Sequence, residues 1–142
     1  MIKDEVPQIV WDICQTAYEY GSPWQIRDFE SDLALDHSHY FFAGNDLSEA
    51  FLSIHHVLDE IEITNIATKQ KGLGSELLKK LIEFAESQQV KTIFLEVRES
   101  NLQAQNFYLK KGFEKIGQRK NYYHQPTENA VLMALKVGKE NG

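Results

Sequence analysis

Cysteine is nearly absent. Cys14 is the single one in the chain, so neither an intrachain disulfide framework nor a cysteine-rich zinc site can be assembled from it, and a reducing, cytoplasmic setting is expected. No apolar run approaches the roughly 18 residues of a membrane span, and Met1-Ile2-Lys3-Asp4-Glu5 lacks the basic start and apolar centre of a signal segment. A soluble, unprocessed protein with no membrane partner is expected. Positive charge is in deficit, 15 Lys and Arg against 21 Asp and Glu for a net −6. That balance argues against a surface that grips nucleic acid and mildly favours an amine or basic peptide. Metal-ligand spacing is lacking too: neighbours His55 and His56 would point to opposite faces of a strand, and His37, His39 and His124 match no ligand pattern. No metal is expected. There is no internal repeat and no low-complexity segment. What remains is 142 residues, 42% hydrophobic and 25% charged, which fits a single domain over 1–142 that ends in a frayed tail at 138–142.

Val6, Ile9, Val10, Ile13, Cys14 and Ala17 recur at helical spacing, predicting a first helix from Val6 to Tyr20 that Gly21-Ser22-Pro23 interrupts. Pro23 suits the opening of a second helix, with Trp24, Ile26, Phe29, Leu33 and Ala34 as its buried stripe. Three antiparallel strands follow, at Tyr40–Ala43, Ala50–Val57 and Glu60–Ile66. In the last, Ile61 and Ile63 face one way and Glu60, Glu62 and Thr64 the other. Leu73, Leu77, Leu78, Leu81, Ile82, Phe84 and Ala85 mark a long amphipathic helix that ends near Gln88. Thr92–Val97 has the length and apolarity of a strand covered on both faces, parallel to the strand before it. Ser100-Asn101-Leu102-Gln103 has capping-box spacing, and the helix it opens stops at Gly112. Strands Phe113–Ile116 and Ala130–Val137 close the sheet, joined by Tyr122 to Asn129.

The passage from Ile66-Ala67-Thr68 through Lys69-Gln70-Lys71-Gly72-Leu73-Gly74-Ser75 carries a strand into a helix and collects free backbone N–H groups at one point. Two glycines admit close approach, two lysines add charge, and the helix dipole has the same sign. A pyrophosphate suits such a place. The segment is neither a Walker A motif nor a Rossmann fingerprint, and taken alone it also reads as a tight turn with solvated lysines.

Further on stand Leu95-Glu96-Val97-Arg98-Glu99-Ser100-Asn101, Ala104, and Phe107-Tyr108-Leu109-Lys110-Lys111-Gly112-Phe113, then Arg119-Lys120-Asn121-Tyr122-Tyr123. With these the sequence, from about Trp24 to Leu135, resembles the GNAT family of acetyl-coenzyme A dependent N-acetyltransferases, and within it the ribosomal-protein alanine N-acetyltransferase branch. The resemblance implies an α/β fold whose mixed, mostly antiparallel sheet is splayed between two central strands, with helices on both faces. It implies that Ile66, Ala67 and Thr68 line the acetyl and pantetheine arm of acetyl-CoA through backbone groups. Gln70, Lys71, Gly72, Leu73, Gly74 and Ser75 would hold the pyrophosphate, and Asn101 would touch the cofactor as well. Glu96 would accept a proton and Tyr108 would donate one. Two departures stand out: the loop before Gly72 is a few residues shorter than the family's, and the first strand is truncated to Met1-Ile2-Lys3.

Acetyl transfer needs a neutral amine, a polarised carbonyl and a protonated leaving thiolate. Desolvation near the end of an apolar strand would raise the pKa of Glu96 toward a useful range, with water as a possible relay. Asn101, Ala104 and Tyr108 share a helix face, so Tyr108 can point toward the cofactor's sulfur. Backbone N–H groups near Ile66 to Thr68 would polarise the carbonyl if the strand splays there. Structural readings stand beside these: Glu96 as a surface carboxylate paired with Arg98 or a lysine, Tyr108 as a core aromatic, Trp24 as a helix-packing residue. Glu60 and Glu62 are alternative bases, and Cys14 reads as a buried inert thiol. Trp24, Glu60, Glu62, Tyr122 and Tyr123 are expected beside the acceptor. That acceptor is expected to be the N-terminal α-amine of a protein, with a small amine, a lysine, or a non-catalytic CoA-binding role as alternatives.

Overall fold

The computed structural model describes residues 2–138. Its elements are α1 (Ile2–Ala17), α2 (Ile26–Leu33), β1 (Ser38–Ala43), β2 (Ala50–Val57), β3 (Glu60–Thr68), α3 (Leu73–Ser87), β4 (Thr92–Arg98), α4 (Leu102–Lys110), β5 (Glu114–Tyr123) and β6 (Glu128–Lys136). The strands form one six-stranded sheet in the order β1-β2-β3-β4-β6-β5. Neighbours run antiparallel except β3 and β4, which are parallel, as the α3 crossover between them requires. Helices cover both faces. On one, Leu77, Leu78, Leu81 and Ala85 of α3 and Tyr108 of α4 pack against Leu52, Ile54, Ile61, Ile63, Ile93 and Leu95. On the other, Val10, Ile13 and Cys14 of α1 and Phe29 of α2 pack against Phe51 and Ala67. Each fully buried Val, Leu, Ile or Phe among these contributes about 1.5–3 kcal/mol.

Several boundaries differ from the sequence reading. Ile2 and Lys3 are helical, so the truncated first strand is not formed by them; Met1 lies outside the described residues, and β1 is the sheet edge on that side. Helix α1 therefore starts earlier than expected, with Glu5 near its N-terminus where negative charge suits the dipole. It ends at Ala17 rather than Tyr20. Pro23 precedes α2 instead of opening it: Gln25 is the N-cap, and its N–H donates to the Asp28 carboxylate at 2.8 Å. Leu33 and Ala34 are exposed, and the buried partner of Phe29 is Asp32. At α4 the cap is Asn101, whose Oδ1 accepts from the N–H of Ala104 at 3.1 Å, not Ser100. Strand β5 runs on to Tyr123, which shortens the connection to β6; it is exposed along almost its whole length and so carries no alternation to read. Strand β4 is covered on one face, by Ile93, Leu95 and Val97, while Phe94, Glu96 and Arg98 are half-buried. Past Gly138 the expected tail lies outside the described residues.

Candidate active site

The parallel seam of the sheet is short. β3 and β4 pair at Glu60–Thr92, Ile61–Ile93 and Glu62–Phe94 and then part. The cause is in β3: against β2, Ser53 faces Asn65 and Ile54 faces Ile63, so Thr64 is an extra residue, a bulge that bends and twists the strand away. Beyond it Ile66 turns its N–H and C=O into the gap left by β4. There they meet the hydroxyl of Tyr18, which donates to the Ile66 carbonyl at 2.8 Å and accepts from the Ile66 N–H at 3.2 Å. The splay expected between the central strands is thus present, and Ile66, Ala67 and Thr68 form its β3 lip.

Glu96 lies on the opposite lip, two positions past the last β3–β4 pair, with its side chain 14% exposed. Desolvation raises its pKa above the usual carboxylate value, and the charge of Glu62 adds to this, while the Arg119 guanidinium and the Tyr122 hydroxyl oppose it. Arg119 Nε lies 3.3 Å from Glu96 Oε2, yet that oxygen is buried without a hydrogen bond. The carboxylate therefore keeps an acceptor free. Tyr122 is exposed and sits under the Arg119 guanidinium, 5.4 Å from ring centre to Cζ. Tyr123 packs on the Arg98 guanidinium at 4.5 Å, and burial pushes its pKa up to about 12.

Tyr108 is buried between Phe107 and Phe113, with each ring centroid at 5.2 Å. The turn that ends α4 fixes it: the Phe113 N–H bonds the Tyr108 carbonyl at 3.0 Å and the Gly112 N–H that of Leu109 at 3.1 Å, a Schellman closure with Gly112 at φ +99°. Burial raises the Tyr108 pKa well above its ordinary value, so the phenol stays a proton donor. Tyr18 is likewise held protonated, chiefly by burial and then by Cys14, with smaller contributions from Tyr108 and Tyr123. Asn101 spends its side-chain oxygen on the α4 cap, leaving its NH2 end for any other contact.

Lys69, Gln70 and Lys71 are exposed, and Gly72 is the N-cap of α3 with φ +91°. A Cβ on Gly72 would meet nothing within 4 Å; the left-handed backbone, not crowding, selects glycine there, and the space beside the N-cap is open. Those amides, of Leu73, Gly74 and Ser75, have no intrahelical acceptor. The arrangement fits an anionic pyrophosphate. At Gly74 a Cβ would rest 3.4 Å from the Phe107 ring, an ordinary contact, so space alone does not demand glycine there.

On the α2 side of the seam a cleft of about 220 Å³ is lined by His37, His55, Val57, Glu60, Ile61, Glu62 and Phe94. His55 is held by Asp32, Nε2 to Oδ1 2.5 Å, and the buried Asp32 carboxylate also accepts from Ser38 and Tyr40 at 2.7 Å each. Trp24 is not among the residues lining this cleft. It tilts onto Phe29 at 5.1 Å and borders a separate hollow with Asp28, Ser31, Asp32 and Leu35. Cys14 is buried, its thiol pushed up to about 12 by desolvation, as expected of an inert residue. Sequence reading missed Tyr18, Asp32 and the role of Arg119 beside Glu96. Only Arg119 carried a signal, its place in the Arg119–Tyr123 segment.

Residues 5–113 match the model of the Acetyltransferase (GNAT) family. The chain is 35% identical over 133 residues to the [ribosomal protein bS18]-alanine N-acetyltransferase of Salmonella typhimurium, spanning 89% of this chain and 88% of the relative. It is 37% identical over 126 residues to the Escherichia coli protein of the same name, spanning 83% and 84%. The crystal structure of the ribosomal-protein-S18-alanine N-acetyltransferase from Escherichia coli is similar at a TM-score of 0.83 and 33% identity, covering 96% of this chain and 92% of that one. Family model, relatives and split sheet agree, and the chain belongs to the GNAT family of acetyl-CoA-dependent N-acetyltransferases.

Proposed function

We propose that the protein transfers the acetyl group of acetyl-CoA to the N-terminal α-amine of a protein, a ribosomal protein that begins with alanine, by direct attack on the thioester. The observation that carries this reading is Glu96: a desolvated carboxylate with raised proton affinity, on the lip facing a strand edge that β4 no longer pairs. Acetyl-CoA supplies the activated acetyl group. In this reading Ile66, Ala67 and Thr68 hold its arm by backbone hydrogen bonds, and the Ile66 N–H polarises the carbonyl. Gln70 through Ser75 hold the pyrophosphate, with the NH2 end of Asn101 nearby. Glu96 takes the proton of the amine, directly or through water, and Tyr108 gives one to the leaving thiolate. Glu60 and Glu62 hold the acceptor's ammonium or a basic residue behind it, while Tyr122 and Tyr123 pack on its first side chains. Trp24 contributes from across Asp32 rather than from the cleft itself.

The names of the relatives support alanine as the first residue of the acceptor. So does the chemistry of a modest base: with reference pKa values of about 7.8 and 10.4, deprotonating a lysine at neutral pH costs roughly 3.5 kcal/mol more than an α-amine. No helix among the described residues is long and apolar enough to cross a membrane, and a ribosomal acceptor agrees with a cytoplasmic setting. An acetyl-transfer screen with mass mapping tests the assignment. An alanine-starting peptide should outrun the same peptide with a blocked N-terminus and an internal lysine by at least about tenfold. A faster lysine peptide or small amine overturns the acceptor.

A further inference from the structure

The hydroxyl of Tyr18 sits on the strand edge that the proposed reaction uses. One oxygen makes two contacts there, accepting from the Ile66 N–H at 3.2 Å and donating to the Ile66 carbonyl at 2.8 Å. A thioester oxygen would need that N–H, and an amide N–H of an extended arm would need that carbonyl. A single phenol thus imitates both ends of a strand-like ligand.

The surroundings show why a polar group is needed here. β3 has left β4 behind at Glu62–Phe94, so no neighbouring strand satisfies Ile66 on this side. Leaving both backbone groups unpaired in a largely buried gap would be unfavourable. Tyr18 comes from the turn that ends α1, where its N–H still bonds the Cys14 carbonyl at 2.9 Å. The chain turns away at Gly21, φ +79°, so Tyr18 stands at the very end of the helix rather than inside it. Two residues on, Tyr20 lies over the Arg98 guanidinium at 4.8 Å, and Arg98 bonds Glu128 at 3.1 Å. The end of α1 is therefore tied to both lips of the gap, to β3 through Tyr18 and to β4 through Tyr20.

We propose that Tyr18 is a placeholder for the thioester arm: its hydroxyl holds the Ile66 edge in the free enzyme and is exchanged for the arm when acetyl-CoA binds. The proposal rests on the reading that Ile66 receives that arm. It makes Tyr18 a positioning residue that keeps the β3 edge ordered and lowers the cofactor's net affinity, since two hydrogen bonds must be surrendered on binding.

Calorimetry on Tyr18→Phe tests it. Acetyl-CoA should bind about 3- to 10-fold more tightly than to the unmodified protein, because the competing bonds are gone. A residue with a purely structural role would give weaker binding on removal. Hydrogen exchange at the Ile66 amide supplies a second readout: slow in the unmodified protein, fast in Tyr18→Phe, and slow again when acetyl-CoA saturates the variant. Unchanged or weaker affinity in folded Tyr18→Phe overturns the placeholder while leaving the cofactor site intact. In the unmodified protein, acetyl-CoA should also shift the Tyr18 ring resonances, a measurement independent of the variant's folding; their constancy at saturation overturns the proposal equally. If acetyl-CoA perturbs amides at Gly72 to Ser75 but never Ile66, the assignment of the arm itself fails, and the placeholder with it.

Discussion

Arg119 Nε stands 3.3 Å from Glu96 Oε2 and makes no hydrogen bond to it. The guanidinium, itself 58% exposed, balances the charge of the carboxylate without consuming its acceptor capacity. On the proposed reading, in which Glu96 is the base, that oxygen has no competing donor to surrender when a proton arrives. Glu96→Gln should lower turnover by about 10²-fold or more with cofactor affinity nearly unchanged, and Tyr108→Phe should act in the same direction. Steady-state rates paired with calorimetry check both. Near-normal turnover in Glu96→Gln with a collapse in Glu62→Gln would move the base to β3.

The pH profile should respond with predictable sign. Activity that needs ionised Glu96 rises with pH through its raised pKa. Arg119 lowers that pKa and Glu62 raises it. The acidic limb of kcat/KM should therefore move to higher pH in Arg119→Gln and to lower pH in Glu62→Gln. Limbs that stay fixed in both variants would show that another group governs the rise.

Gly72→Val should weaken acetyl-CoA binding more than it weakens the fold. Because a Cβ there meets no neighbour within 4 Å, the cost to stability is the left-handed backbone alone, about 1–2 kcal/mol. On the proposed reading the new side chain instead intrudes on the open space beside the α3 N-cap that the pyrophosphate needs. Thermal unfolding and calorimetry on one preparation separate the effects, and unchanged affinity would remove the pyrophosphate from this turn.

Asp32→Ala should destabilise the protein by about 2–4 kcal/mol in urea, since Ser38, Tyr40 and His55 all lose their acceptor in a buried place. Acetyl-CoA affinity should hold, while the KM for a peptide acceptor should rise as His55 loses its orientation at the cleft. A shift smaller than about 0.5 kcal/mol would mean that the carboxylate is replaceable by water.

Periodicity made α3 legible, and alternation placed Ile61 and Ile63 opposite Glu60 and Glu62. The parallel β3–β4 pair followed from a strand, a helix and another strand in succession. The bulge at Thr64 was not legible, because one extra residue in a strand leaves no mark in composition. Asp32 was hidden for a different reason. A carboxylate on a short helix reads as surface until its partners from β1 and β2 are in place. Tyr18 depends on both the bulge and the departure of β4, so nothing local could announce it. The family motifs identified Glu96 and Tyr108 as candidates, while the cost of burying Glu96 emerged only from Arg119, Glu62 and Tyr122 around it.

The short seam divides the molecule mechanically. β1, β2 and β3 are laddered among themselves, as are β4, β6 and β5, and the register between the two groups spans Glu60–Thr92 to Glu62–Phe94. A cut near Gln89, where the backbone already turns with φ +59°, would leave two fragments that each retain three antiparallel strands. Such fragments are suited to reassemble when mixed, with acetyl-CoA drawing them together because its proposed berth is the junction itself.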